Sequence, residues 1–171
     1  MVDFKKIVEE QAAREKAAEA DLAAVVQERG EWWPRQVHEL LAQIQDWIRP
    51  LVDNGTLQYE LRKVTLNEEA LGSYQVESAK IRFGSKTLSF EPMGTFLFGA
   101  FGRLDVTGPF GKVTLLLLGS DLNTATWHMA HPVAAPSTSR PPSTSQPRST
   151  FASLTKDLFE KLFVDLLGIR S

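Results

Sequence analysis

The chain has no cysteine and only three histidines. The first absence excludes a disulfide framework, a thiol nucleophile and any cysteine-bearing zinc or iron–sulfur site. The second leaves few nucleophile–base pairs from which to build a catalytic centre. No GxSxG, GxGxxG, HExxH or EF-hand pattern occurs. The stretch ending in Gly111-Lys112 approaches a phosphate loop. However, Val106 stands where the first glycine belongs and Val113 where Ser or Thr belongs, so a hairpin turn explains it better. The apolar run Val113 to Leu118 is broken by Thr114 and falls far short of the ~20 residues that cross a membrane. The opening MVDFKKIVEE lacks the apolar segment of a secretory signal. A cytoplasmic protein without metal or cofactor is the expectation.

What is present is ordinary globular material. At 171 residues, 43% of them apolar and 23% charged, the chain can bury a real core and fits a single domain. Its charge is uneven. Residues 1–60 hold seven Lys+Arg against twelve Asp+Glu, residues 61–112 seven against five, and residues 113–171 five against four. An acidic helical portion therefore precedes a weakly basic remainder. Imbalances this small do not make the basic patch of a nucleic-acid binder.

Residues 3–29 read as a helix dominated by Ala, Glu, Lys, Gln and Arg. Asp3 is placed to cap it and Gly30 to end it. Its apolar stripe is discontinuous: Phe4, Ile7 and Val8 at one end, Leu22, Val25 and Val26 at the other, only alanines between. Such a helix is about 40 Å long, more than a domain of this size spans. Residues 1–30 are therefore expected to project, to dock on another protein or a second copy of the chain, or to lie as a solvated helix along the domain. Residues 33–49 give a second helix. Trp33, Val37, Leu40, Leu41, Ile44, Trp47 and Ile48 form one face, Pro34 suits a first turn and Pro50 ends the run.

From Leu57 the period changes to two, predicting half-buried antiparallel strands. Leu57, Tyr59 and Leu61 alternate with Gln58, Glu60 and Arg62; Ala79, Ile81 and Phe83 alternate with Lys80 and Arg82; KTLSFEP follows the Gly84-Ser85 turn. The most apolar stretch, Thr95 to Gly119, reads as two central strands joined at residues 107–111, with Phe96, Phe98, Ala100, Leu104 and Val106 on one face. Residues 125–130 are a further short strand. Residues 132–150 contain five Pro, five Ser and three Thr, a composition expected to remain a disordered loop. Lys156 to Leu167 is a final helix, capped by Thr155, stopped by Gly168, and apolar along Phe151, Leu154, Leu158, Phe159, Leu162, Phe163, Leu166 and Leu167.

The fold expected is α+β: two N-terminal helices, a curved, mainly antiparallel sheet of five or six strands, and a C-terminal helix packed on it. The domain would comprise residues 31–171. Two functional readings follow. The first is a protein-interaction module of adaptor or inhibitor type, without catalytic activity. Its contacts would lie on the N-terminal helix (Phe4, Ile7, Val8) and on an outer sheet face carrying Arg62, Lys80 and Arg82. The second is a ligand-binding protein or enzyme with a pocket between the sheet and the last helix, near Arg103, Asp105, Trp127 and His128. Arg103 and Asp105 share a strand face, where Arg103 can hold a phosphate or carboxylate or simply pair with Asp105. His128 and His131 would face the same way only on a helix, not on a strand, which argues against a metal site.

Overall fold

A computed structural model describes residues 3–95, 99–131 and 150–170. The order along the chain is α1 (Phe4–Asp53), β1 (Gln58–Glu68), β2 (Gly72–Phe83), β3 (Lys86–Gly94), β4 (Gly102–Gly108), β5 (Gly111–Leu118), β6 (Thr126–His131), β7 (Thr150–Ser153) and α2 (Lys156–Leu167). The strands form one open, seven-stranded sheet in sequence order, each antiparallel to the next. The architecture is α+β.

The two expected N-terminal helices are one. α1 runs unbroken for 50 residues through Gly30, Pro34 and Pro50. A proline inside a helix removes one hydrogen bond and presses its ring on the carbonyl four residues back, a cost of about 3 kcal/mol. Pro34 faces the carbonyl of Gly30, the least crowded partner available. It also sits beside Trp32 and Trp33, both buried, and truncating either would cost about 3–5 kcal/mol. The stripe is in phase on both sides of the proline. Leu22 and Leu40 are eighteen residues apart, about five turns at 3.6 residues per turn. A continuous helix thus keeps one apolar line, whereas a break at Gly30 would rotate it.

Only the second half of that line is covered. Trp33, Val37, Leu40, Leu41, Ile44 and Ile48 are buried against the sheet, and residues 3–25 are all exposed. The inner sheet face carries Ile81, Leu88, Phe90, Leu104, Val106, Leu115, Leu117 and Met129, all buried. The register runs Phe90 opposite Val106, Leu104 opposite Leu115, and Leu115 opposite Met129. Both helices lie on this face. Trp33 packs on Trp127 with ring centroids 6.0 Å apart, Phe159 of α2 lies 6.4 Å from Phe90, and Trp47 joins the two helices at 5.4 Å from Phe159.

α2 follows its sequence signals. Thr155 accepts the Leu158 N–H at 3.2 Å, and Gly168 adopts the left-handed conformation at φ 65°. Its C-terminus is tied down from outside. Lys86 Nζ donates to the Leu167 carbonyl at 2.9 Å, placing a cation where the helix dipole favours one. The Phe110 N–H, in the β4–β5 turn, donates to the Leu166 carbonyl at 3.1 Å.

The remaining differences have local causes. β7, a seventh strand beyond the five or six expected, is four residues long and directly follows the Pro/Ser/Thr-rich stretch, so no alternation announces it. Phe151, assigned from sequence to the helical stripe, lies in β7 and is 48% exposed. The first central strand begins at Gly102 rather than Thr95, after Gly99 at φ 81°. Phe96 and Phe98 lie outside the described residues, as does the loop reading for residues 132–149. Leu61, expected on the buried face of β1, is exposed, while Val76 and Ala79 of β2 are both buried although three residues apart. β2 pairs with β3 only over Ala79–Phe83. The free end of the β1–β2 hairpin therefore does not follow the alternation of the rest.

Gly102 is where the helix seats on the sheet. A Cβ there would meet the Trp33 ring at 2.2 Å, and that ring is fully buried. Gly102→Ala is expected to lower stability by about 1–3 kcal/mol through overpacking, read as a lower urea midpoint. An unchanged midpoint would mean that Trp33 does not rest on β4.

Candidate functional site

Three polar groupings emerge from the fold, together with one apolar surface. On the outer sheet face, where no described helix packs, Arg103 and Asp105 point the same way from β4. Arg103 donates from Nε to Asp105 Oδ1 at 2.8 Å and from Nη2 to Oδ2 at 3.0 Å. Lys112 Nζ lies 3.4 Å from Oδ2, and Thr114 donates to Oδ1 at 3.3 Å. Asp105 is only 4% exposed. Burial alone would push its carboxyl upward, but the hydrogen bonds and charges of Arg103, then those of Lys112, outweigh it and hold the group below its ordinary value. The same hydrogen bond raises the Arg103 guanidinium. Each oxygen of Asp105 already has two partners, so the arrangement is a satisfied ion pair.

The other residues predicted for a pocket are placed elsewhere. Trp127 lies opposite Leu117 in the register and packs inward on Trp33. His128 lies on the outer face in the row of Arg103 and Leu116, with Nδ1 2.9 Å from the Thr126 carbonyl and Nε2 3.4 Å from Ser153 Oγ. Arg103, Asp105 and His128 thus share a face, and Trp127 belongs to the opposite one. Arg62, Lys80 and Arg82 also occupy the outer face, where Glu60 takes Arg62 at 2.9 Å and Arg82 at 3.7 Å. The face is mixed in charge and laced by ion pairs.

The second grouping was not read from the sequence. A cleft of about 160 Å³ between α1 and the β1–β2 hairpin is lined by Pro34, His38, Lys63, Gln75, Val76 and Glu77. His38 Nδ1 contacts both oxygens of Glu77 at 3.1 and 2.9 Å. Nothing in sequence spacing joins residues 38 and 77; only the crossing of α1 over β2 does. The third grouping is a half-buried clasp at the end of the same hairpin. Glu68 accepts from the Thr95 N–H at 2.7 Å and from the Tyr74 hydroxyl, and Thr95 is fully buried. Gly94, at φ 149°, leaves room for the carboxylate, since a Cβ there would lie 2.7 Å from Glu68 Oε1. Trp33 Nε1, also buried, makes no hydrogen bond of good geometry. It lies near enough to Tyr74 to ease that hydroxyl's deprotonation slightly.

The apolar surface is the first half of α1. Phe4 is 80% exposed, Leu22 65%, and Ile7, Val8 and Val25 about half. Asp3 caps this end, accepting the Lys6 N–H at 3.4 Å. No helix among the described residues is long and apolar enough to cross a membrane. Among these residues no group of three or more His, Asp and Glu is placed to hold a metal ion.

Compared with protein-family models, with curated proteins and with solved structures, the chain has no match.

Two measurements follow from these electrostatics. Arg103→Ala leaves Asp105 nearly buried with only Lys112 and Thr114, and is expected to cost about 1–3 kcal/mol in urea unfolding at neutral pH. A depressed carboxyl contributes stability above its unfolded value that is lost as the pH falls through the folded one. The difference from the unsubstituted chain should therefore shrink in acid; equal stability at neutral pH would contradict the pairing. The chain has two tyrosines, both raised. Burial, then the Glu77 charge, pushes Tyr59 up to about 12. Burial, then the hydrogen bond and charge of Glu68, raises Tyr74 further. Their contribution is complete below about pH 10 and is lost as the pH rises toward the folded values. Tyrosinate absorbance of the folded protein should lag behind that of the urea-unfolded chain, and coincident titrations would refute the burial of both hydroxyls.

Proposed function

We propose that this protein is a cytosolic interaction module of adaptor or inhibitor type, without catalytic activity, whose main contact surface is the first half of α1. The observation that supports this reading is the uncovered apolar stripe of residues 4–25. A polar, alanine-rich helix lacking tertiary packing is marginal in water, and exposed Phe, Ile, Val and Leu on one line are the usual mark of a binding surface. The stripe continues the line that α1 buries on its own sheet, so a partner would extend the same packing outward. The outer sheet face, with Arg62, Lys80 and Arg82 beside Glu60, is a secondary surface suited to a partner of mixed charge. The partner is another protein or a second copy of the chain.

The reading is tested with the full chain and a Val8→Glu/Leu22→Glu variant, tagged and crosslinked in cells. The full chain is expected to retain a reproducible set of proteins, copies of itself included, that the variant loses. At a dilution where the unsubstituted chain is monomeric, both should unfold at the same temperature, because the substituted positions are exposed. Identical recovery, or an earlier unfolding of the variant, would overturn the assignment.

A further inference from the structure

We infer that the occupant of this stripe is a second copy of the same chain, with its helix lying antiparallel; the inference rests on the interaction reading above. Phe4, Val8, Gln11, Glu15, Ala18, Leu22, Val25 and Arg29 are spaced alternately by four and three residues. Phe4, Val8, Ala18, Leu22 and Val25 make it an apolar seam of the two-stranded coiled-coil kind, interrupted by Gln11, Glu15 and Arg29. Residues 4–29 make a rod of about 39 Å at 1.5 Å per residue. It ends where α1 meets its own domain, at Arg29, whose guanidinium stands 5.6 Å over the Phe101 ring, and Gly30 beside Leu71.

Charge selects the direction. Residues 4–14 hold three cations and two anions, a balance of +1, and residues 15–28 hold one cation and four anions, a balance of −3. A parallel pair would stack the acidic halves together and place Glu15 against Glu15 in the seam. An antiparallel pair centred between positions 16 and 17 sets each acidic half against the other copy's cationic half. Its layers are then Val8 with Val25, Gln11 with Leu22 and Glu15 with Ala18. Phe4 reaches Arg29 at the foot of the other domain. On the flank, Arg14 of one copy lies beside Asp21 of the other, twice by symmetry. In this arrangement the two sheets lie at opposite ends of the rod. The central Glu15–Ala18 layers are poor packing, so the dimer is weak and concentration-dependent.

The absence of cysteine makes the register directly readable. Val8→Cys and Val25→Cys chains, mixed under mild oxidation, are expected to crosslink to each other in preference to themselves. Sedimentation should show dimers of the unsubstituted chain, monomers of Leu22→Glu, and at least tenfold tighter association of Glu15→Leu. A self-crosslinked Val8→Cys dimer would overturn the antiparallel arrangement. A chain that remains monomeric at high micromolar concentration would overturn self-pairing altogether. If such a monomer still captures other proteins through Val8 and Leu22, the interaction reading survives and only the second copy is lost.

Discussion

The contact between the Trp33 ring and the bare backbone of Gly102 is the constraint on which the rest of the structure depends. A Cβ at 102 would lie 2.2 Å from the nearest ring carbon, so this strand position must be glycine for the helix to approach. The close approach lets Trp33 reach Trp127 on β6 and sets the line along which Val37, Leu40, Ile44 and Ile48 cover β1 and β2. Seating the helix there also fixes α2, because Trp47 meets Phe159 at the far end of the same line. One close approach thus organises both helices over one sheet face.

The same seat explains the division of α1. It is a rigid rod, and the sheet is wide enough to cover only its second half. Trp32 and Trp33 mark the boundary, with Phe101 edge-on to Trp32 and Arg29 above Phe101. Beyond them the rod continues in phase with no further sheet beneath it. The outer face is organised differently. Its buried carboxylate, Asp105, is neutralised by Arg103 and Lys112 and hydrogen-bonded by Thr114, and Glu60 pairs with Arg62 and Arg82. The buried apolar side chains lie on the inner face, and the projecting half of α1 keeps Phe4, Ile7, Val8, Leu22 and Val25 exposed.

Much of the fold is legible in the sequence because its signals are local. The stripe of residues 33–48, the Thr155 and Gly168 caps, the Gly84 and Gly108–Gly111 turns and the alternation of β3 and β5 all report their own structure. The Arg103–Asp105 pair is legible for the same reason, as neighbours two apart on one strand. What is not legible depends on distant contacts. Gly30 and Pro34 read as a boundary, yet two buried tryptophans hold the helix through them. β7 is four residues whose only support is its partner strand. Trp127 and Arg103 are expected from sequence to line one pocket, but the register sends them to opposite faces. The His38–Glu77 cleft and the Glu68–Tyr74–Thr95 clasp join elements far apart in sequence, and no spacing rule connects them.

The most direct measurement of the central claim, one helix half seated and half free, is amide hydrogen exchange along residues 4–53 at low and high protein concentration. Residues 33–48 should exchange slowly at both, near the rate of global unfolding. Residues 4–25 should exchange rapidly when dilute and slow down when concentrated. Strong protection of residues 4–25 at every dilution would show that the first half packs within its own chain, and would contradict the division of α1 described above.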